Sequence, residues 1–132
     1  MLLLPVPLWE RVVAHCLDGL PLEACGLLAG HDGQVHEVYP TGNAAGSARL
    51  YTVQPKDLLR ADRAAEGAGL ALIGVWHSHT HTPAYPSPTD INQAPDPDWH
   101  YVVVSLSDTS PVLRSYRIVG GQAQEETVVT PA

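Results

Sequence analysis

Two histidines, His77 and His79, lie at the end of an apolar segment, and Asp90 follows eleven residues after the second of them. In a β-strand, residues i and i+2 point to the same face, so the two imidazoles would lie side by side. Neutral imidazole and carboxylate are common zinc ligands, and three protein ligands leave one position for water in a catalytic site. The spacing therefore predicts a catalytic zinc site made by His77, His79 and Asp90.

Hydrolysis at such a site needs a group that moves a proton and a group that stabilises developing negative charge. Glu23 is the leading candidate for the general acid/base, because it precedes an apolar segment whose end could lie beside the histidine strand. Ser87 could donate its hydroxyl to the oxyanion, a contribution typically worth roughly 3 to 4 kcal/mol. The pattern favours zinc-dependent hydrolysis with Glu23 and Ser87 as catalytic residues.

Each of these residues also has a purely structural interpretation. Ser87-Pro88-Thr89-Asp90 fits a helix start, with Ser87 as the N-cap, proline at the first helical position and an acid at the third. Glu23 could be a charged residue after a turn, and the two histidines could be ordinary residues near a sheet end. His81, two residues beyond His79, is a rival metal ligand.

The elements that would position these residues alternate along the chain. Apolar residues at helical spacing predict helices over Pro7–Leu17 and Pro55–Glu66, and a short helix beginning at Ser87–Asp90. Predicted strands cover Cys25–Ala29, Val35–Tyr39, Ala48–Val53, Leu70–Trp76, Tyr101–Leu106 and Val112–Val119, with a last strand ending near Val129. The mixture predicts an α/β fold, a single domain over residues 1–132 with a central mixed β-sheet flanked by helices.

Composition excludes several classes of function. The chain has 132 residues and a formal net charge of −7, which argues against binding to nucleic acid or to anionic membrane surfaces. The short apolar start, Met1–Pro5, lacks a basic region and is interrupted by proline, so it does not fit a signal peptide. Cys16 and Cys25 form no CxxC pair, and we expect them to be buried thiols in a reducing cytoplasm.

The motif His77-Ser78-His79, followed after seven residues by Ser87-x-x-Asp90, resembles the JAMM signature of the MPN-plus zinc metallopeptidases. The segment from Glu23 to Gly30 is similar to the family's segment that carries the catalytic glutamate. The resemblance covers roughly the whole domain. It implies an MPN fold, similar in layout to the cytidine deaminases, with His77, His79 and Asp90 as zinc ligands, Glu23 as acid/base and Ser87 steadying the tetrahedral intermediate.

One departure from the family pattern is Thr80, because the family often has proline after the second histidine. The chain is also too short for the insertions with which eukaryotic deubiquitinases grip ubiquitin, so it resembles the compact prokaryotic members. That resemblance implies cleavage after the Gly-Gly tail of a ubiquitin-like or sulfur-carrier protein, joined to an amino acid or to another protein.

The sequence also allows four alternative functions to be compared with zinc-dependent peptide hydrolysis. A catalytically inactive MPN scaffold for protein–protein interaction is the main one, although such relatives typically lack part of the zinc set. A zinc deaminase would need H-x-E and P-C-x-x-C, and neither motif is present. A zincin would need H-E-x-x-H, which is absent as well. A cysteine hydrolase using Cys25 lacks any local activating feature.

Overall fold

The computed structural model describes all 132 residues and consists of eight strands and three helices. The helices are α1 (Val6–Asp18), α2 (Pro55–Gly67) and α3 (Pro88–Asn92). The strands are β1 (Leu2–Leu3), β2 (Cys25–His31), β3 (Gln34–Thr41), β4 (Ala71–His79), β5 (His100–Ser105), β6 (Val112–Val119), β7 (Gln122–Glu126) and β8 (Val128–Val129).

All eight strands form one mixed sheet in the order β7-β6-β5-β4-β2-β3-β1-β8. Strand β4 lies at the centre, parallel to β5 and antiparallel to β2. Strands β2 and β3 form a hairpin whose turn residues, Asp32 and Gly33, have φ of 50° and 73°. Positive φ at two successive residues is the requirement of the tight turns that suit antiparallel strands. The α/β class with a central mixed sheet is confirmed.

The sheet has a hydrophobic core on each face because its central strands alternate between the two. Val102 and Val104 pack with the α1 side of the sheet, whereas Tyr101 and Val103 pack with the α2 side. This two-sided burial explains the near-continuous apolar runs of the central strands. The resulting layers are helix, sheet and helix. The start of β2 and the carboxyl end of β4 lie side by side at one end of the sheet, where residues can form a functional site.

Trp76 is the largest fully buried side chain, and it fixes how β2 and β4 meet. It pairs in register with Gly26, and a Cβ atom at that glycine would overlap the Trp76 ring. The indole therefore crosses β2 where no side chain stands in its way.

The predicted elements are confirmed to within a few residues for both long helices and for most strands. The predicted last strand ending near Val129 is instead two strands, β7 and β8, at opposite edges of the sheet, and β1 was not predicted. The strand predicted over Ala48–Val53 is wrong, because that segment is a loop with only a single bridge between Asn43 and Val53. Side-chain hydrogen bonds replace the ladder there: Asn43 Oδ1 accepts from the backbone N–H groups of Ala45 and Thr52 at 3.0 and 2.9 Å.

None of the three helices combines the length and the hydropathy needed to span a bilayer. Cys16 and Cys25 are both buried and unpaired, as the sequence predicts.

Candidate metal centre and catalytic site

The carboxyl end of β4 carries both predicted histidine ligands. His77 and His79 are only 3% and 5% exposed, and their side chains lie on the same side of the strand. Cys25 at the start of β2 pairs with His77, which brings the segment just before β2 to this end of the sheet. Glu23 lies in that segment, so strand pairing places it beside the histidines.

Three candidate ligand atoms meet at the site. His77 Nε2, His79 Nε2 and Asp90 Oδ2 are mutually 3.0 Å apart. Zinc–nitrogen bonds of about 2.0 to 2.1 Å would put tetrahedral ligands about 3.3 Å apart, so the triangle is close to the size that such an ion needs. The structure therefore brings together His77, His79 and Asp90 as a group suited to a metal ion.

The protonation of His79 follows from its second nitrogen. Nδ1 lies 2.9 Å from the carbonyl oxygen of Pro83, and since a carbonyl only accepts, Nδ1 carries the proton and donates it. In the neutral ring Nε2 then presents a lone pair towards Asp90. Imidazoles that bind metals typically donate their other N–H to a carbonyl or carboxylate in this way.

The charge states of the other two residues also suit a cation. Burial lowers the pKa of His77, which favours the neutral imidazole that can act as a ligand. Burial alone would raise the pKa of Asp90, but its contacts with the imidazoles of His77 and His79 and with the Ser87 N–H hold it well below its usual range. Burial alone would lower the pKa of His79, but its contacts with Asp90 and the Pro83 carbonyl raise it, so a metal ion bound between the carboxylate and the two imidazoles would displace a proton.

Helix α3 positions Asp90 through a reciprocal cap. Ser87 Oγ accepts from the Asp90 N–H at 3.0 Å, and Asp90 Oδ2 accepts from the Ser87 N–H at 2.8 Å. The capping interpretation of these two residues is thus correct, and it is compatible with the metal interpretation because the same Oδ2 atom faces both histidines. Ser87 Oγ acts as an acceptor in the cap, so its own proton is free to be donated.

Glu23 is a buried carboxyl group that lacks a hydrogen-bond partner for Oε1. Only 5% of the residue is exposed. Burial is the main cause that raises the pKa of Glu23 to about 7. The charge of His79 opposes this shift, and the negative charge of Asp90 adds to it. A carboxyl group whose pKa lies near neutral can both accept and release a proton at physiological pH, as a general acid/base must.

Glu23, His79 and Ser87 border one open cleft of about 420 Å³. Its lining consists of Glu23, Ala48, Arg49, His79, Thr80, His81, Thr82 and Ser87. His81 is exposed at the cleft and is not one of the three clustered ligands, so the structure does not bring this rival ligand into the metal group.

Ser78, the residue between the two histidines, connects the ligand strand to the Glu23 segment. Its Oγ accepts from the Ala24 N–H at 2.8 Å, and its own N–H donates to the Ala24 carbonyl at 3.0 Å. The side chain points away from the histidines, as strand alternation requires, and is fully buried. Ser78 therefore holds the residue that follows Glu23.

Two further supporting residues were missed in the sequence. Tyr51 stacks on His77, with ring centroids 4.2 Å apart and planes 16° apart. Asn43 donates from Nδ2 to the Glu23 carbonyl at 3.0 Å and to the Leu50 carbonyl at 2.9 Å. Both lie in the segment between β3 and α2, and no local pattern indicates their long-range contacts.

Comparison with known proteins adds independent findings. The sequence matches the family described as "Prokaryotic homologs of the JAB domain" over residues 5–119. It is 42% identical over 131 residues to the CysO-cysteine peptidase of Mycobacterium tuberculosis, covering 97% of this chain and 90% of that protein. It is also 41% identical over 95 residues to a Thermus thermophilus protein named "Probable TtuB-protein conjugate cleaving protease", covering 71% of this chain and 64% of that protein.

The fold has a matching solved structure. A JAB1/MPN domain protein from Archaeoglobus fulgidus superimposes with a TM-score of 0.63 at 18% identity, covering 98% of this chain and 99% of that one. This likeness confirms the MPN fold that the resemblance of the motif implies.

Proposed function

Since the chain belongs to the family of prokaryotic JAB-domain homologues, whose named relatives include peptidases, we propose that it is a JAMM-type zinc peptidase or isopeptidase acting at the C-terminal tail of a carrier protein. The observation that carries the proposal is the convergence of His77 Nε2, His79 Nε2 and Asp90 Oδ2 at mutual distances of 3.0 Å. The proposal takes residues 1–132 as one such domain, supported by their single continuous sheet.

The residues present fit a zinc ion. Two neutral imidazoles and one carboxylate are a donor set that zinc accepts, and they leave one position open. We assign His77, His79 and Asp90 as the ligands that would hold it. When bound, zinc would supply a Lewis acid that lowers the pKa of water from 15.7 towards about 7.

The chain's own groups then divide the remaining work. Glu23, with its pKa raised to about 7 mainly by burial, takes the proton of the attacking water and passes it to the leaving amine. Ser87 lies at the cleft and donates its hydroxyl to the oxygen on which negative charge develops. Ser87 can do so because its capping role uses only the oxygen as an acceptor.

The proposed substrate is a ubiquitin-like or sulfur-carrier protein whose Gly-Gly tail is joined to an amino acid or to another protein. The names of the relatives support this, since one denotes a CysO-cysteine peptidase and the other a protease of TtuB–protein conjugates. A thin glycine tail also suits an open cleft at a sheet end, where an extended chain can enter. We place the enzyme in the cytoplasm, supported by two buried cysteines that remain unpaired.

The deciding experiment measures zinc per chain and cleavage of carrier-protein fusions in three proteins. The wild type should hold about one zinc and cleave, His77→Ala should lose both properties, and Glu23→Gln should keep zinc but lose turnover. Near-normal activity of Glu23→Gln would show that the assigned acid/base is wrong. Absence of zinc from the wild type, even after zinc is supplied, would instead favour the inactive interaction scaffold.

A further inference from the structure

The cleft beside the metal group contains one side chain with a permanent positive charge, Arg49. Its guanidinium is exposed, and no carboxylate lies within ion-pair distance of it. Three other arginines do have acidic partners, in the pairs Arg11–Glu37, Arg60–Asp57 and Arg114–Glu125. The chain has a net charge of −7, yet the Arg49 guanidinium at the cleft has no acidic partner. It is therefore available to bind an anionic group of the substrate.

The backbone around Arg49 is held at both walls of the cleft. The Ser47 carbonyl accepts from the Glu23 N–H at 2.8 Å, and the Ala48 carbonyl accepts from Thr80 Oγ1 at 3.2 Å. Ser47 Oγ also accepts from the Arg49 N–H at 3.0 Å. Arg49 therefore follows a segment that is hydrogen-bonded both to Glu23 and to Thr80, the residue after the second histidine, so its side chain begins close to the reacting centre.

The chemistry of the substrate determines which anion would meet this cation. When the leaving amine belongs to a terminal amino acid, the α-carboxylate is attached to the same carbon as the scissile nitrogen. When the leaving amine is a lysine side chain, four methylene groups separate the nitrogen from the backbone, and no carboxylate lies near it. Only the first kind of substrate brings a negative charge to the cleft together with its scissile bond.

We infer that Arg49 binds the free α-carboxylate of the released amino acid, so that the preferred substrate is a carrier tail ending in one added residue. This inference rests on the proposed function, because it specifies the leaving group of that reaction. A hydrogen bond between two charged groups is stronger than one between neutral groups, and we expect it to change kcat/KM about tenfold, which corresponds to about 1.4 kcal/mol. Arg49 is thus a specificity residue for the amine side of the bond.

The test uses a matched pair of substrates. A ubiquitin-like carrier protein ending in Gly-Gly-Ala is prepared with a free carboxylate and with a terminal carboxamide, which has nearly the same shape but no charge. The zinc-loaded wild type should cleave the carboxylate about tenfold more efficiently. Arg49→Gln should cleave both at the rate that the wild type shows for the carboxamide. Arg63→Gln is the matched control, because Arg63 is another exposed arginine that forms no ion pair and lies outside the cleft, and it should retain the preference.

A binding measurement separates this inference from the proposed function. With Glu23→Gln loaded with zinc, the carboxylate substrate should bind about tenfold more tightly than the carboxamide, and adding Arg49→Gln should abolish the difference. Equal rates and affinities for the two substrates in proteins with wild-type Arg49 would overturn the inference while leaving the peptidase intact. An equal loss of both activities in Arg49→Gln would also overturn it, since that result indicates a role at the oxyanion or in folding. Failure of the wild type to cleave either substrate would count against the proposed function, and the affinities would still decide the role of Arg49.

Discussion

Replacing Ser78 by alanine should damage catalysis without releasing the metal, although this residue lies between the two histidine ligands. Its Oγ accepts from the Ala24 N–H at 2.8 Å, and Ala24 is only 6% exposed. The variant would leave that N–H buried without a partner, which costs about 1 to 3 kcal/mol. Since the free segment would shift next to Glu23, we expect kcat to fall by about tenfold, in keeping with the sensitivity of catalysis to small displacements.

The stability change can be estimated as well. For a chain of 132 residues, an unfolding entropy of about 2.1 cal/mol/K per residue converts 1 kcal/mol into roughly 4 °C of Tm. Ser78→Ala should therefore lower Tm by about 4 to 11 °C for a loss of about 1 to 3 kcal/mol. The assays are thermal unfolding, zinc content and steady-state kinetics on the same preparations.

Ser115→Ala is the matched control, because Ser115 is also a fully buried strand serine with a hydrogen bond, to Glu126 at 2.7 Å. It should lower Tm comparably while leaving kcat unchanged, since it lies on β6 and away from the cleft. If Ser78→Ala lost stability but kept kcat within twofold of the wild type, the assigned coupling to Glu23 would be refuted. Loss of zinc from Ser78→Ala would show instead that the serine acts through the ligands.

Two other predictions concern the packing around the site and the far edge of the sheet. Tyr51→Leu should weaken zinc binding by about tenfold, because the ring stacked on His77 would be lost, whereas Tyr51→Phe should retain the affinity. Zinc affinities are measured by competition with a chelator, and equal affinities of the two variants would contradict this prediction. Burial alone would raise the pKa of Glu126, but hydrogen bonds from His100 and Ser115 lower it to about 2. The ionised carboxylate should stabilise the folded protein by roughly 2 to 3 kcal/mol above pH 4.5, and this contribution should be lost as the pH falls towards 2. Urea unfolding should therefore show a smaller acid-induced loss of stability in Glu126→Gln than in the wild type. Parallel pH profiles for the two proteins would argue against that assignment.

The sequence was most informative where local rules govern the structure. The alternation of a strand places His77 and His79 on one face, and the helix-start pattern places Asp90 in the first turn of α3. These rules depend only on neighbours along the chain, so the spacing was enough to predict the ligand group. The signal for Glu23 was only partly local, because the sequence shows that Glu23 precedes an apolar strand, whereas the pairing of that strand with the ligand strand joins Cys25 to His77 across the chain.

Long-range contacts could not be predicted in the same way. The stacking of Tyr51 on His77 and the bonds from Asn43 to Glu23 join segments that are about twenty or more residues apart. The apolar pattern of Ala48–Val53 favoured a strand, but side-chain hydrogen bonds of Asn43 organise a loop there instead. β1 was missed because two residues are too few to show a period.

The pairing of Gly26 with Trp76 has a consequence for evolution. The indole occupies the space that any larger residue at position 26 would need, and Trp76 directly precedes the ligand His77. Selection should therefore preserve this glycine as strictly as it preserves the metal ligands, although glycine performs no chemistry. Invariance at position 26 among descendants of this gene would then reflect the space that the Trp76 ring needs. Invariance at position 77 would reflect the chemistry of the site.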